Sequence, residues 1–268
     1  MELPRRIPFD LNKMSVYEEG MELAALRESM RKLAPAPDPK WDLNGAQKGG
    51  GLSTGWAALD RLLSTGGLPR GALTELAGPS SSGKTALALG VLATQTQAGA
   101  LAAFVDARGD LYPPAAAALG VDLSRLLIVR AGGGAPAKAA RAAEILLQSR
   151  AFSVVALALP GDGELVRAPA RMLRAAARRS SACVVTLTGR RGLAEGCAAS
   201  VELKPRRSDR RGRRAIALVS KGSMSGGSAR AEISFNALRI DHAPPAPLPE
   251  ATKRASPGAL PVCERGPA

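Results

Sequence analysis

Apolar and polar positions alternate in blocks along the middle of this chain. Short apolar runs at Ala72–Ala77 (ALTELA), Leu101–Val105, Leu126–Val129, Val154–Leu159 and Cys183–Leu187 have the length of buried strands. Between them lie Ala86–Ala93, Ala137–Arg150 and Ala168–Arg179, runs of strong helix formers. Strand and helix in turn is the pattern of a parallel sheet covered by helices. After Thr188 the rhythm changes to four closely spaced strands, Val201–Lys204, Ala215–Ser220, Ala229–Phe235 and Leu238–Ile240. These predict a largely antiparallel extension of the sheet. The fold class is α/β.

The flanks read differently. Residues Met1–Lys13 look irregular, and Ser15-x-x-Glu18 is a capping box that starts a helix. Val16, Leu23, Leu26, Met30 and Leu33 make a narrow apolar seam along it. So short a helix is marginal alone in water, so the seam must dock, on its own core or on another protein. Pro35, Pro37 and Pro39, then Gly45 and Gly49–Gly51, separate it from the rest of the chain, which favours a neighbouring subunit or partner. The chain thus divides into a docking helix (1–33), a linker (34–51), a core (52–242) and a Pro-rich tail (243–268) with little to bury.

Only 3% of residues are aromatic against 46% hydrophobic, so Ala, Leu and Val must build the core. The net charge of +14 draws the chain towards nucleic acid first and acidic protein surfaces second, although an Arg-rich proteome would give the same balance. Cys183, Cys197 and Cys263 lack metal-ligand or paired spacing and His242 is the only histidine, which argues against a zinc site or a disulfide framework. The N-terminus has no apolar core of a signal peptide, and no apolar run approaches a membrane span. A cytoplasmic, nucleoid-associated protein is expected.

The chemistry concentrates at Gly78–Thr85, GPSSSGKT, which fits G-x-x-x-x-G-K-[ST] between a strand and a helix. Gly78 and Gly83 let the backbone curl so that the amides of Pro79–Thr85 residues other than proline (Ser80, Ser81, Ser82 among them) face one phosphate. Lys84 would reach the outer phosphates, and Thr85 would offer its hydroxyl to Mg²⁺. ATP with Mg²⁺ is the implied cofactor.

LSTGWAALDRLLSTGGLPRGALTELAGPSSSGKT, with AAFVDARGDLYPPAAAALGVDLSRLLIVR after the first long helix, resembles the RecA recombinase family. The likeness is specific over about Leu52–Arg130 and fainter to Ile240, and it implies a RecA-like P-loop core. The departures are informative. Where RecA reads D-A-E, with the glutamate activating water, this chain reads Asp106-Ala107-Arg108, and arginine stays protonated. Ala158 stands at the Mg²⁺-side aspartate, with Asp162 and Glu164 just beyond as substitutes; Asp110 is a third candidate carboxylate. Thr188-Gly189 replaces the γ-phosphate-sensing N-Q pair. The adenine-stacking tyrosine falls at Ala115, and Tyr112 could serve instead. The two DNA loops, at Pro160–Ala168 and Gly189–Ala199, are short, and of a K-N-K pair that reaches a neighbour's ATP only Lys221 remains, Ser223 holding the second position. No residue is assigned a catalytic role: nucleotide binding is retained and efficient hydrolysis is not.

Lys204, Arg206, Arg207, Arg210, Arg211, Arg213 and Arg214 crowd one turn, opposed within it only by Asp209. Each buried guanidinium would need a partner, so the cluster should protrude. It would bind phosphates without sequence preference, with an acidic protein face and a merely solvated turn as alternatives. Together these features resemble ImuA, the RecA-like accessory of bacterial damage-inducible mutagenesis cassettes. That resemblance implies RecA, the cassette's Y-family-like polymerase homologue and its error-prone polymerase as partners, with single-stranded DNA and self-association beside them. The competing readings are a DNA-dependent ATPase with recombinase or remodelling activity, and a nucleotide-independent DNA-binding module.

Overall fold

The structure is a computed structural model that describes Glu28 and residues 50–131, 136–159, 167–190, 196–206, 214–224 and 227–235. Glu28 is helical and exposed. The apolar seam of the N-terminal helix, the linker up to residue 49, the strand expected at Leu238–Ile240 and the tail lie outside these residues.

Among the described residues eight strands form one sheet in the order β3-β2-β4-β5-β1-β6-β7-β8. They are β1 (Leu73–Ala77), β2 (Leu101–Asp106), β3 (Leu126–Arg130), β4 (Phe152–Ala158), β5 (Cys183–Thr188), β6 (Ala199–Pro205), β7 (Arg214–Lys221) and β8 (Ala229–Ser234). The pairs joining β1 to β6 are all parallel, including β1 with β6 itself. Among the described strands β6–β7 and β7–β8 are antiparallel, the largely antiparallel extension that the sequence pattern predicts, joined to the parallel core through β6. The helices are α1 (Ala57–Asp60), α2 (Lys84–Gln97), α3 (Pro113–Ala118), α4 (Pro136–Gln148) and α5 (Arg167–Ser180).

Burial on both faces explains why the central strands read as continuous apolar runs rather than alternating ones. β1, β4 and β5 are buried along their whole length. On one face Leu87, Val91 and Leu92 of α2 and Ala116 of α3 pack with Leu76, Phe104 and Val185. On the other, Ala139, Ala143 and Leu146 of α4 and Leu173 and Ala177 of α5 pack with Val105, Val155 and Val184. Small alanine contacts let these helices lie close, which compensates for the shortage of aromatic volume. β7 alternates buried Ala215, Ala217 and Val219 with half-buried Ile216, Leu218 and Ser220, the pattern of a strand covered on one face.

The S-T-G…L-D text at the start of the core is structural. The Asp60 carboxylate accepts from Ser53 Oγ at 2.8 Å, from the Thr54 amide at 2.9 Å and from Thr54 Oγ1 at 2.6 Å. These bonds fix the turn that delivers Trp56, whose indole N–H donates to the Ser234 carbonyl at 3.0 Å, 178 residues away. The start of the core is thereby tied to its last described strand.

Cys183 and Cys197 are buried free thiols. Burial pushes the Cys183 thiol up to about 12 against the opposing pull of Thr74 and Arg70. The folded chain then keeps a proton that the unfolded chain loses above its ordinary value of 9.0. Stability from this group is complete below about pH 9 and is lost progressively as pH rises towards about 12. Urea unfolding of wild type and Cys183→Ala should show slopes against pH that diverge only above that lower limit.

Candidate functional site

In parallel strands every C-terminal end lies along one edge of the sheet, where doubly wound folds place ligands. Here that edge brings together the loop after β1, the Asp106–Asp110 turn after β2, Ala158 at the end of β4 and Thr188-Gly189 at the end of β5. Backbone bonds lock them to one another: the Gly78 amide donates to the Thr188 carbonyl at 3.2 Å and the Ala107 amide to the Ala158 carbonyl at 3.2 Å.

The Gly78–Thr85 loop has the geometry of an anion cradle. Gly83 caps α2 at φ +93, in the left-handed region, and its Cα is covered by the ring of Phe235, so that any Cβ there would run into the ring. At Gly78 both dihedral and approach constrain the residue: φ is +156, and a Cβ would lie 2.6 Å from Ser82 Oγ and 2.7 Å from the Leu203 carbonyl. Ser81 also takes a positive φ, of 61°. Pro79, Ser80 and Ser81 are exposed, whereas Ser82 and Lys84 are buried. The Lys84 ammonium donates to the Gly78 carbonyl at 2.7 Å and the Pro79 carbonyl at 3.1 Å, so the loop's own backbone holds the charge in place.

These residues fit a nucleotide's phosphates. Ser82 Oγ is fully buried and makes no hydrogen bond among the described residues, an orphan polar atom inside the loop. The loop's amides, Lys84 and the N-terminus of α2 would hold the phosphates, and half-buried Thr85 would present a hydroxyl to Mg²⁺. Bound Mg²⁺ supplies charge neutralisation of the phosphate oxygens. The Mg²⁺-side carboxylate has no counterpart at the end of β4, where Ala158 stands, and Asp162 and Glu164 fall outside the described residues. Among the described residues there is no cluster of three His, Cys, Asp or Glu side chains able to hold a metal by themselves.

The turn after β2 is firmly built. The Asp106 carboxylate accepts from the amides of Arg108 at 3.2 Å, Gly109 at 2.8 Å and Leu111 at 2.9 Å. That accounts for Asp106 as a structural acceptor. It also places Arg108 at the site edge, where its guanidinium is ion-paired with Asp110 through Nε and Nη2. Asp110, the third candidate carboxylate, is thus the partner of this arginine and is 51% exposed. Tyr112 sits at the N-cap position of α3 and is 67% exposed, an open aromatic face on the same edge.

Two residues at the site carried no signal in the sequence. Phe235 packs on Gly83 and lies edge-on to Trp56 at 5.8 Å between ring centres, coupling the end of β8 to the phosphate loop. Glu75, fully buried in β1, accepts from Ser200 Oγ at 3.1 Å and Thr188 Oγ1 at 3.4 Å, joining the loop's strand to the end of β5. A lone glutamate in an apolar run has no periodic signature. Gly83→Val should cost about 2 kcal/mol or more, from the left-handed backbone and the Phe235 ring together, measured as a lowered urea midpoint.

The basic turn is described only at its stem. Lys204 and Arg206 are exposed, and the Arg206 amide donates to the Arg214 carbonyl at 3.0 Å, closing the β6–β7 hairpin. Arg214 is a strand residue ion-paired with Glu232 of β8 at 3.6 Å, an opposing charge from outside the turn that local sequence does not reveal. Arg207, Arg210, Arg211 and Arg213 lie outside the described residues, as do the seam residues Val16, Leu23, Leu26, Met30 and Leu33. β6 runs parallel to β1, so the hairpin emerges at the same edge as the phosphate loop.

Fold and loop together define a P-loop α/β core of the RecA type. The RecA N-terminal domain family matches residues 43–160. Protein RecA of Rubrobacter xylanophilus is 45% identical over 112 residues, which cover 42% of this chain and 32% of that protein. Protein RecA of Symbiobacterium thermophilum is 48% identical over 104 residues, covering 39% and 29%. The chain thus matches about a third of the length of these relatives. The crystal structure of the RadB recombinase is similar with a TM-score of 0.55 and 21% identity, over 68% of this chain and 95% of that one, a likeness of fold. Among the described residues no helix is long and apolar enough to cross a membrane.

Proposed function

We propose that this chain is a RecA-like accessory protein of the bacterial DNA-damage response, of the ImuA type, which binds ATP but turns it over weakly or not at all. It would act by contact with RecA and with the polymerases of error-prone translesion synthesis. The observation that supports this reading is Arg108. Beside a phosphate loop whose lysine is already positioned, the side chain at the end of β2 is a cation tied to Asp110. A guanidinium cannot take a proton from water at neutral pH. A core that keeps a recombinase's shape and nucleotide loop without that base is suited to sit on, or among, recombinase subunits and alter them. The hairpin arginines would add salt-dependent contacts to single-stranded DNA.

The test is ATP turnover on single-stranded DNA, with the chain alone and titrated into RecA from the same organism. The expected result is no turnover alone and a changed RecA rate near equimolar amounts. Turnover by the chain alone that vanishes in Lys84→Ala would overturn the accessory reading in favour of a DNA-dependent ATPase. An unchanged RecA rate, together with RecA binding that survives Leu23→Asp/Leu26→Asp, would remove the docking role of the N-terminal helix.

A further inference from the structure

The opposite edge of the sheet carries a second cationic surface. In a βαβ unit each helix returns the chain to the N-terminal edge, so the ends of α4 and α5 lie there with the starts of β4, β5 and β1. β4 pairs with β5 and β5 with β1. At ~4.8 Å between strands, the three starts lie within about 10 Å of one another. Four arginines stand at these starts. Arg150 follows α4, Arg178 and Arg179 end α5, and Arg70 precedes β1. The Gly71 amide donates to the Ser181 carbonyl at 3.2 Å, and a Cβ on Gly71 would lie 3.8 Å from the Arg178 Cα, so the Arg70 and Arg178 backbones are adjacent.

Arg150, Arg178 and Arg179 are exposed, and no acidic side chain pairs with any of them among the described residues. Arg70 is half-buried, and its Nε is buried without a hydrogen-bond partner among the described residues. α5 contains five arginines and no acid, and the one acid of α4, Glu144, is buried and paired with Arg141. Arginines in a last helical turn complement the helix dipole, which accounts for Arg178 and Arg179 in part. It does not account for Arg150, which occupies a left-handed position at φ +57 just past the end of α4, where glycine is the favoured residue. An exposed side chain kept at a strained corner points to a use for its charge.

We propose that this edge is a second nucleic-acid surface that grips the phosphate backbone of duplex DNA, on the far side of the sheet from the phosphate loop and the hairpin. An acidic protein is the other polyanion class. Protein interfaces are anchored by large apolar or aromatic groups at their centre. Of the exposed large hydrophobic side chains among the described residues, Tyr112 lies at the opposite edge, and Met224 follows the end of β7, two strands beyond β1 and away from the arginines. An arginine cluster with no apolar anchor suits phosphates, which duplex DNA presents at one charge per ~1.7 Å of axis. Phe152, the aromatic at the start of β4, is buried, and this edge exposes no aromatic among the described residues, which favours duplex over single strands. With the hairpin at the opposite edge, the chain would hold two nucleic-acid segments at once. This inference is independent of nucleotide binding.

The experiment is fluorescence anisotropy of the full chain with a labelled duplex of about 30 base pairs and with a labelled poly-glutamate peptide, from ~50 to ~200 mM salt. The variants are Arg150→Gly/Arg178→Ala/Arg179→Ala and, for the hairpin, Lys204→Ala/Arg206→Ala. The edge variant should lose at least about tenfold in duplex affinity at low salt, and its log–log salt slope should fall by about 2 to 3. The hairpin variant should keep the edge contribution, so that combining the two sets lowers affinity further. Because glycine relieves the corner at position 150, Arg150→Gly alone should melt no lower than wild type while its slope falls by about 1. That single variant decides the matter if the triple variant does not fold. Unchanged duplex affinity and slope in a folded edge variant would overturn the proposal. Loss of poly-glutamate binding with duplex binding intact would overturn it in favour of an acidic protein partner.

Discussion

Lys84→Ala should weaken ATP binding by between about tenfold and a hundredfold, read by titration of a fluorescent ATP analogue. Hydrogen bonds to a charged group contribute about 1.5–3 kcal/mol, and this ammonium is buried and aimed by two carbonyls of the loop it serves. Its position does not depend on a ligand, so little reorganisation is needed when an anion arrives. Removing it also orphans the Gly78 and Pro79 carbonyls, yet Pro79 is exposed and water can reach it. The fold should therefore survive, with an unchanged far-ultraviolet circular dichroism spectrum. If the folded variant binds the analogue as tightly as wild type, nucleotide is not held in this loop and the accessory reading loses its nucleotide component.

Much of the fold was legible because its signals are local. Strands buried on both faces must be apolar at nearly every position, and the runs of β1, β4 and β5 between their helices read that way. The phosphate loop was legible for a similar reason, since backbone amides converging on one anion require glycines at fixed spacing. What escaped was the part made by distant segments. α1 and α3 are too short for periodicity. The partners of Glu75 lie 113 and 125 residues away, and Phe235 reaches Gly83 across most of the core. Arg214 reads as part of a free basic turn until Glu232 on the next strand accounts for its charge. The N-terminal edge was invisible for the same cause: Arg70, Arg150, Arg178 and Arg179 are scattered in sequence and meet only when parallel strands start side by side.

The departures at Arg108 and Ala158 carry the largest expected effect, and reversing them should restore chemistry. Arg108→Glu with Ala158→Asp is expected to raise ATP turnover by about 10²-fold over wild type, the lower end of what a positioned general base contributes. The geometry favours a local effect. The turn carrying position 108 is held by three backbone amides on the Asp106 carboxylate, none of which involves the side chain being replaced. Position 158 pairs through its backbone carbonyl with the Ala107 amide, so the new carboxylate would stand next to the loop after β2. Arg108 now neutralises Asp110, and an acidic replacement would leave two like charges at two-residue spacing. Adding Asp110→Asn removes that repulsion and should increase turnover further. A triple variant that binds the ATP analogue like wild type but hydrolyses ATP no faster would mean that the missing carboxylates are not what limits this site. The shortfall would then lie at Thr188-Gly189 or in contacts from a neighbouring subunit. Turnover that appears only in the presence of RecA would instead locate those contacts on the partner.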